Sequence, residues 1–300
     1  VNPEHICVCI CTFKRAPLLA NLLAELEAQE SSGLFTHSAV VIDNDAEGSA
    51  RETVDKFVRR SNMTVVYDVE PEQNISLARN RAVRDSTGDY IAFFDDDQSP
   101  GRDWLHTLYT AQKEFQADGI LGPVKPVYDE DPPRWVVKGG FYERPTHATG
   151  MVIGWRNGRT GNVLLKRELF AGDPQPFDPM FGSGGEDQDF FRRMIGKGYR
   201  FVWCNEAVGY EHIPPLRWRR GFLLRRALLR GKMSLRHPGM GMKSILVSLT
   251  AMPVYLALLP LLAIMGHHLF MRYLVKICDH LGRILTAARI NVIQEKYVVE

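Results

Sequence analysis

A chain of 300 residues with 45% hydrophobic residues, 24% charged residues and a formal net charge of +2 describes an ordinary globular protein of one large or two small domains. That balance sets aside the compositional extremes of disordered and fibrous chains. The small net charge hides an asymmetry: Glu211 is the last acid before Asp279, and the span between them is rich in Arg and Lys, so that part of the chain should meet something anionic. No charged, apolar, small-residue leader begins at Val1, so no secretory signal is expected.

In chain order, residues 5–13 (HICVCICTF) read as a strand. PLLANLLAELEAQ has helical periodicity with Pro17 near its start, SAVVIDND is a second strand, and ARETVDKFVRR a second helix. TVVYDVE, ISLARNRAVRDS and DYIAFFDDD continue the alternation, which predicts an α/β fold with a mostly parallel sheet and helices on both faces. Cys7, Cys9 and Cys11 fall on one side of the first strand, about 7 Å apart by strand rise, too far for a good disulfide. With Cys204 and Cys278 they read as small buried hydrophobes of a reducing compartment.

From about Leu121 to Gly184 the pattern breaks into Pro- and Gly-rich segments that read as loops shaping a second substrate site. Within and after them, GNVLLKRELF reads as a strand entering a short helix, EDQDFFRRMIGKGY as an amphipathic helix, and RFVWC as a strand. Domain bounds follow from these shifts. Residues 1–212 are expected to form an α/β unit with halves 1–120 and 121–212. Residues 213–300 form a helical region. There RWRRGFLLRRALLRGKMSLRH interleaves basic and apolar residues. Ile245–Gly266 is an apolar run of about 22 residues, roughly 33 Å as a helix and enough for a bilayer core, with Pro253 and Pro260 expected to kink it. The following MRYLVKICDHLGRILTAARI is amphipathic and suits an interface.

Four groups of residues carry chemistry. Asp95, Asp96 and Asp97 end an apolar strand, and buried like charges require a cation, hydrogen-bond donors or solvent. A hard divalent cation such as Mg²⁺ or Mn²⁺ prefers such oxygens, and a solvated turn is the plain alternative. CTFKR with VIDND places a hydroxyl, an aromatic ring, cations and Asp43 at strand ends, where ligands of open α/β sheets bind. NISLARNRAV opens a helix with Asn74 and Arg79 toward the same edge. GSGGEDQDF leads from glycines into Glu186, Asp187 and Asp189, acids that suit either a helix start or a loop moving over a ligand.

Taken together, ICVCICTFKR, VIDND, NISLARNRAV, FFDDDQSP, GNVLLKREL, GGEDQDF and VGYEHIPPLRW, over roughly residues 5 to 235, resemble the inverting family 2 glycosyltransferases of GT-A fold. Within that family the likeness is to bacterial enzymes of exopolysaccharide assembly, the succinoglycan type among them. Carried by motifs across both halves of residues 1–212, it implies that 1–120 and 121–212 are the nucleotide-binding and acceptor-binding parts of a catalytic domain. The resemblance implies that Thr12, Phe13, Arg15, Asp43 and Arg79 contact a donor nucleotide, with Asp96 at the ribose and Asp95 supporting the site. It implies Asp97 and His212 at a divalent metal, Asp187 as catalytic base, and Asn162, Glu186 and Trp218 on the acceptor side. Processive members carry Gln-x-x-Arg-Trp, whereas Pro214 stands here before Arg217 and Trp218. That departure favours addition of a single sugar.

The expected partners are therefore a nucleotide-sugar donor, UDP-linked by default, a lipid-linked saccharide acceptor and a membrane surface. The expected place is the cytoplasmic face of a bacterial inner membrane. Nucleic-acid binding is disfavoured because Leu pairs interrupt the basic helix. A sugar nucleotidyltransferase would place a glycine-rich loop after the first strand, and CTFKRAP has none. A non-catalytic sugar-binding scaffold would have no use for both the acid triplet and the Glu-Asp pair.

Overall fold

The computed structural model describes residues 3–236 and 241–290; residues 237–240 and 291–300, part of the helical region read from the sequence, lie outside them. The first half alternates as expected. It runs β1 (Glu4–Thr12), α1 (Ala16–Glu27), β2 (Phe35–Asp43), α2 (Arg51–Val58), β3 (Val65–Val69), α3 (Ile75–Asp85), β4 (Tyr90–Phe94), β5 (Gln98–Pro100) and α4 (Trp104–Phe115). The second half follows with β6 (Gly119–Leu121), β7 (Val124–Tyr128), α5 (Arg134–Gly139), β8 (Asn162–Lys166), α6 (Glu186–Gly196), β9 (Phe201–Trp203) and β10 (Gly209–Ile213). Three helices end it: α7 (Arg220–Ser234), α8 (Met242–Met265) and α9 (His267–Ala287).

The main sheet has the order β3-β2-β1-β4-β8-β6-β9. β1 pairs in parallel with β2 and with β4, while β8 runs antiparallel between β4 and β6. The sequence of β1 shows why it sits at the centre. Ile6, Val8 and Ile10 join the core under α1 and α4, and the alternate residues Cys7 and Cys9 join the core on the opposite face with Ala78, Ala82 and Phe93. A strand covered on both faces needs apolar residues at successive positions, and β1 has them from Ile6 to Cys11. α1 buries Leu19, Leu22, Leu23 and Leu26, an i, i+3, i+4, i+7 stripe, each leucine contributing about 1.5–3 kcal/mol.

After β1 the chain runs outward through β2 and β3, then returns to place β4 on the other side of β1. Strand order reverses there, and the crevice beyond the carboxyl ends of β1 and β4 is the place where such sheets bind ligands. Thr12 and Asp95–Asp97 lie at those two ends.

One part of the fold differs from the sequence reading. The region taken as loops holds β7 and α5, and β7 joins β5 and β10 in a second, three-stranded sheet ordered β5-β10-β7. β7 contains Pro126, which an edge strand tolerates. The apolar run forms one continuous helix through both Pro253 and Pro260. Each proline removes a single i→i−4 bond from it.

The three C-terminal helices are clamped to one another. Gly231 of α7 lies against the Asp279 carbonyl and Gly282 of α9 against the Leu228 carbonyl, so close that an added Cβ would sit 2.1 Å and 2.3 Å from those oxygens. Arg230 adds a two-point ion pair to Asp279 at 2.9 and 2.6 Å. α8 packs on α9 through Ser248 and His280 at 3.0 Å and through Tyr255 against Tyr273. Ser248 and Leu262 are its buried residues, so most of its apolar surface faces outward.

Candidate active site

A cavity of about 470 Å³ opens at the ends of β1 and β4. Its floor is the acid triplet. Thr12 donates its hydroxyl to Asp96 at 2.7 Å, and Arg15 reaches both Asp96 and Asp97 at 3.0 and 3.2 Å. Arg217, from the far end of the chain, donates to Asp97 at 2.6 Å and to Glu211 of β10 at 2.9 Å; Arg144 also holds Glu211. Asp95 differs. Its side chain is 43% exposed to the cavity, with Gln98 donating at 3.2 Å and the Arg79 guanidinium 3.6 Å away. Gly161 leaves it room, since a Cβ there would stand 2.5 Å from its carboxylate.

These surroundings separate three chemically identical groups. Burial pushes Asp96 up to about 6, with Arg15 and Thr12 opposing and Asp97 adding to the rise. Burial also raises Asp95, against the pull of Arg79. For Asp97 burial works in the same direction, but the charges of Arg217 and Arg15 outweigh it and hold the carboxyl below its ordinary value.

α3 brings the third wall. Asn74 caps α3 by accepting from Ser76 and Leu77, while its amide donates to the Pro179 carbonyl at 3.1 Å. Ile75 donates to Gly182, and Asn80 exchanges bonds with Phe177. The loop before α6 is therefore fixed to α3, and Arg79 of α3 closes on Glu186 at the start of α6. Gly184 and Gly185, at φ of +122° and +102°, make the turn that lets the helix begin there.

Thr12, Phe13, Arg15, Asp95, Asp96, Asp97 and Glu186 thus share one cavity wall. Arg79 stands behind Glu186 and Asp95. Asp187 lies next to that wall, half-buried, accepting the Gln188 backbone N–H at 2.7 Å and making no ion pair among the described residues.

Besides Arg79 and Asp187, four more of the sequence-selected residues do not line the cavity. Asp43 is fully buried and accepts from Ala50, Tyr67 and Asp45, which holds the turn into α2. Asn162 is enclosed, donating to the Pro123 and Ala207 carbonyls and accepting from Trp104. Trp218 packs against Tyr128 in a small core with Val136, Tyr142 and Ile213. The His212 ring meets Ser99 and Asp129 at 3.1 Å each, because alternation along β10 turns Glu211 into the cavity instead.

Sequence reasoning passed over Asn44, Arg144, Glu211 and Arg217, which do line the cavity, and the α7 residues Phe222, Arg225, Arg226 and Leu229. Arg217 stands in the same basic run as Trp218, and Glu211 directly precedes His212. Arg144 sits in a loop with no local signal.

Among the described residues no group of three or more His, Cys, Asp or Glu side chains makes a ready metal cage. The chemistry of the donor set nonetheless fits a hard divalent cation. Asp95 opens an oxygen donor to the cavity beside Asp97, and the triplet lowers its mutual repulsion by gaining positive charge.

The model of glycosyl transferase family 2 matches residues 7–170. The chain is 36% identical over 230 residues to the succinoglycan biosynthesis protein ExoM of Rhizobium meliloti (strain 1021), covering 76% of this chain and 73% of that protein. Among solved structures it is similar to the mannosyltransferase PcManGT of Pyrobaculum calidifontis in complex with GDP-Man and Mn²⁺. The TM-score is 0.62 at 19% identity, over 97% of this chain and 87% of that one. It is also similar to S. aureus TarS 1–349 in complex with UDP-GlcNAc, with a TM-score of 0.53 at 16% identity, over 95% and 91% of the two chains. At these identities the solved structures speak for the fold.

The enclosure of Asn162 sets an expectation for its removal. Asn162→Ala strips partners from two buried carbonyls and the Trp104 indole N–H, and should lower unfolding free energy by about 2–4 kcal/mol. Urea denaturation of the two proteins measures this, and equal stability would contradict a scaffold role.

Proposed function

The chain belongs to glycosyl transferase family 2, and on that premise we propose that it moves one sugar from a UDP-linked donor to a lipid-linked saccharide, inverting the anomeric carbon, in surface or exopolysaccharide assembly. The observation that carries this reading is the meeting of Thr12 and Arg15, the acid triplet and the α6 start around one cavity at the strand-order reversal.

Thr12, Phe13, Arg15 and Asp96 would bound the donor's nucleotide and phosphates. Asp97, with Asp95 beside it, would hold a divalent cation, whose chemistry is to neutralise the departing diphosphate. Arg15 and Arg217 reach Asp97 and keep its carboxylate ionised and oriented. The acceptor hydroxyl attacks the face of the sugar opposite the diphosphate; its oxygen bonds to the anomeric carbon as the carbon–diphosphate bond breaks, and a carboxylate must take its proton. Of the two adjacent acids, Glu186 is occupied by Arg79, whereas Asp187 has no cation upon it among the described residues. Asp187 is therefore our choice of base.

The C-terminal helices support attachment to a membrane. α8 is long and apolar enough to cross a bilayer, yet α9 packs along it and carries Arg272, Lys276, Asp279 and Arg283. Crossing would draw those charges into hydrocarbon, at several kcal/mol for a single charge near the middle. We read α8 as the outer layer of a hairpin lying on the cytoplasmic face of the membrane, with the basic α7 beneath it.

Two outcomes are expected. Asp187→Asn, nearly the same shape, should keep affinity for the UDP-sugar within a few-fold while transfer falls by about 10² or more; initial rates at saturating acceptor measure it. Near-normal turnover would remove Asp187 as the base. The intact chain should float with anionic vesicles, and Leu249→Glu with Leu256→Glu on the exposed face of α8 should abolish flotation without loss of thermal stability. Unchanged flotation of that double variant would contradict the hairpin reading.

A further inference from the structure

α7 is the one element that belongs both to the cavity wall and to the helical layer carrying α8. Phe222, Arg225, Arg226 and Leu229 line the cavity, and their i, i+3, i+4, i+7 spacing sets them on one face of the helix. The other arginines of the site, Arg15, Arg79, Arg144 and Arg217, are each bound to a carboxylate. Arg225 and Arg226 are not: neither makes an ion pair or hydrogen bond with the described residues, and the Arg226 guanidinium stands over the Tyr142 ring, 6.0 Å from its centre. Two adjacent cations in a cavity, without a counter-charge of their own, gain by receiving an anion from outside.

We propose that Arg225 and Arg226, between the apolar side chains of Phe222 and Leu229, bind a phosphate or diphosphate group esterified to an apolar chain, the anionic head of a lipid-linked acceptor. This rests on the acceptor class proposed above. Two features select a lipid phosphate over the phosphates of the nucleotide. The flanking side chains on the same helix face are apolar, and α7 continues through the Gly231–Asp279 and Gly282–Leu228 contacts into the α9–α8 hairpin, whose outer surface is apolar. A lipid lying along that surface would bring its head group to α7, whereas the donor's diphosphate belongs at the acid triplet.

The test titrates farnesyl diphosphate, inorganic diphosphate and UDP into the full chain in mild detergent. Farnesyl diphosphate should bind at least about 10-fold tighter than inorganic diphosphate. Arg225→Gln with Arg226→Gln should weaken it by about 10- to 100-fold while leaving UDP affinity within about two-fold. Both side chains are exposed to the cavity, so the fold should survive, which circular dichroism checks, and Arg225→Lys with Arg226→Lys should retain most of the affinity. Unchanged farnesyl diphosphate affinity in the glutamine variant overturns the assignment, and an equal loss of UDP affinity overturns it in favour of a donor role. A wild-type chain that binds farnesyl diphosphate but not UDP would instead count against the donor proposed for the neighbouring site.

Discussion

Three consecutive carboxylates at the end of a buried strand are tolerable only because guanidinium groups reach them from separate parts of the chain. Arg15 comes from the turn after β1, Arg79 from α3 and Arg217 from the segment after β10. An isolated buried carboxylate costs far more than any single helix or turn contributes, so these pairings tie distant segments to one point. The α6 start is drawn in by Arg79 through Glu186, and the second sheet by Arg217 through Glu211. The cavity's shape follows from where its charges must meet.

The same balance explains why such a site suits a diphosphate. Asp97 stays ionised under two cations, while Asp95 and Asp96 are pushed up by burial and gain from additional positive charge. A cavity floor that favours cations, beneath walls that carry arginines, is consistent with the proposed diphosphate and cation. The helical region is joined to this cavity through α7. α7 presents one face to this cavity while its Gly231 packs against Asp279 of α9, so the α9–α8 pair and the cavity wall are held in fixed relation.

Much of this was legible in the sequence, because the β/α alternation of the first half rests on local periodicity. The double-faced apolar run of β1, the leucine stripe of α1 and the capping Asn74 each announce their element without help from the rest of the chain. The acid triplet was visible for the same reason. What was not legible depends on register and distance. β7, β5 and β10 are short, and Pro126 argues against a strand until β7 is known to lie on an edge. Without β10 as a strand, nothing in YEHIPP tells that Glu211 and not His212 turns inward. Asn162 and Asp43 look like ligand-binding groups by position, yet both are taken up by groups of the scaffold, the Pro123 and Ala207 carbonyls and Trp104 for Asn162, the Ala50 amide and the Tyr67 hydroxyl for Asp43. Arg144 approaches Glu211 across 67 residues, a pairing that no local pattern encodes.

The central claim is that the acidic strand end is the seat of a nucleotide diphosphate and its cation. Calorimetric titration of UDP into the wild-type protein and into a folded Asp97→Ala variant, each with Mg²⁺ and with the metal chelated, addresses it directly. The account expects Mg²⁺ to strengthen UDP binding to the wild type by about 10-fold or more, and Asp97→Ala to lose that dependence along with most of the affinity. Equal UDP affinity with and without Mg²⁺, unchanged by Asp97→Ala, would contradict it.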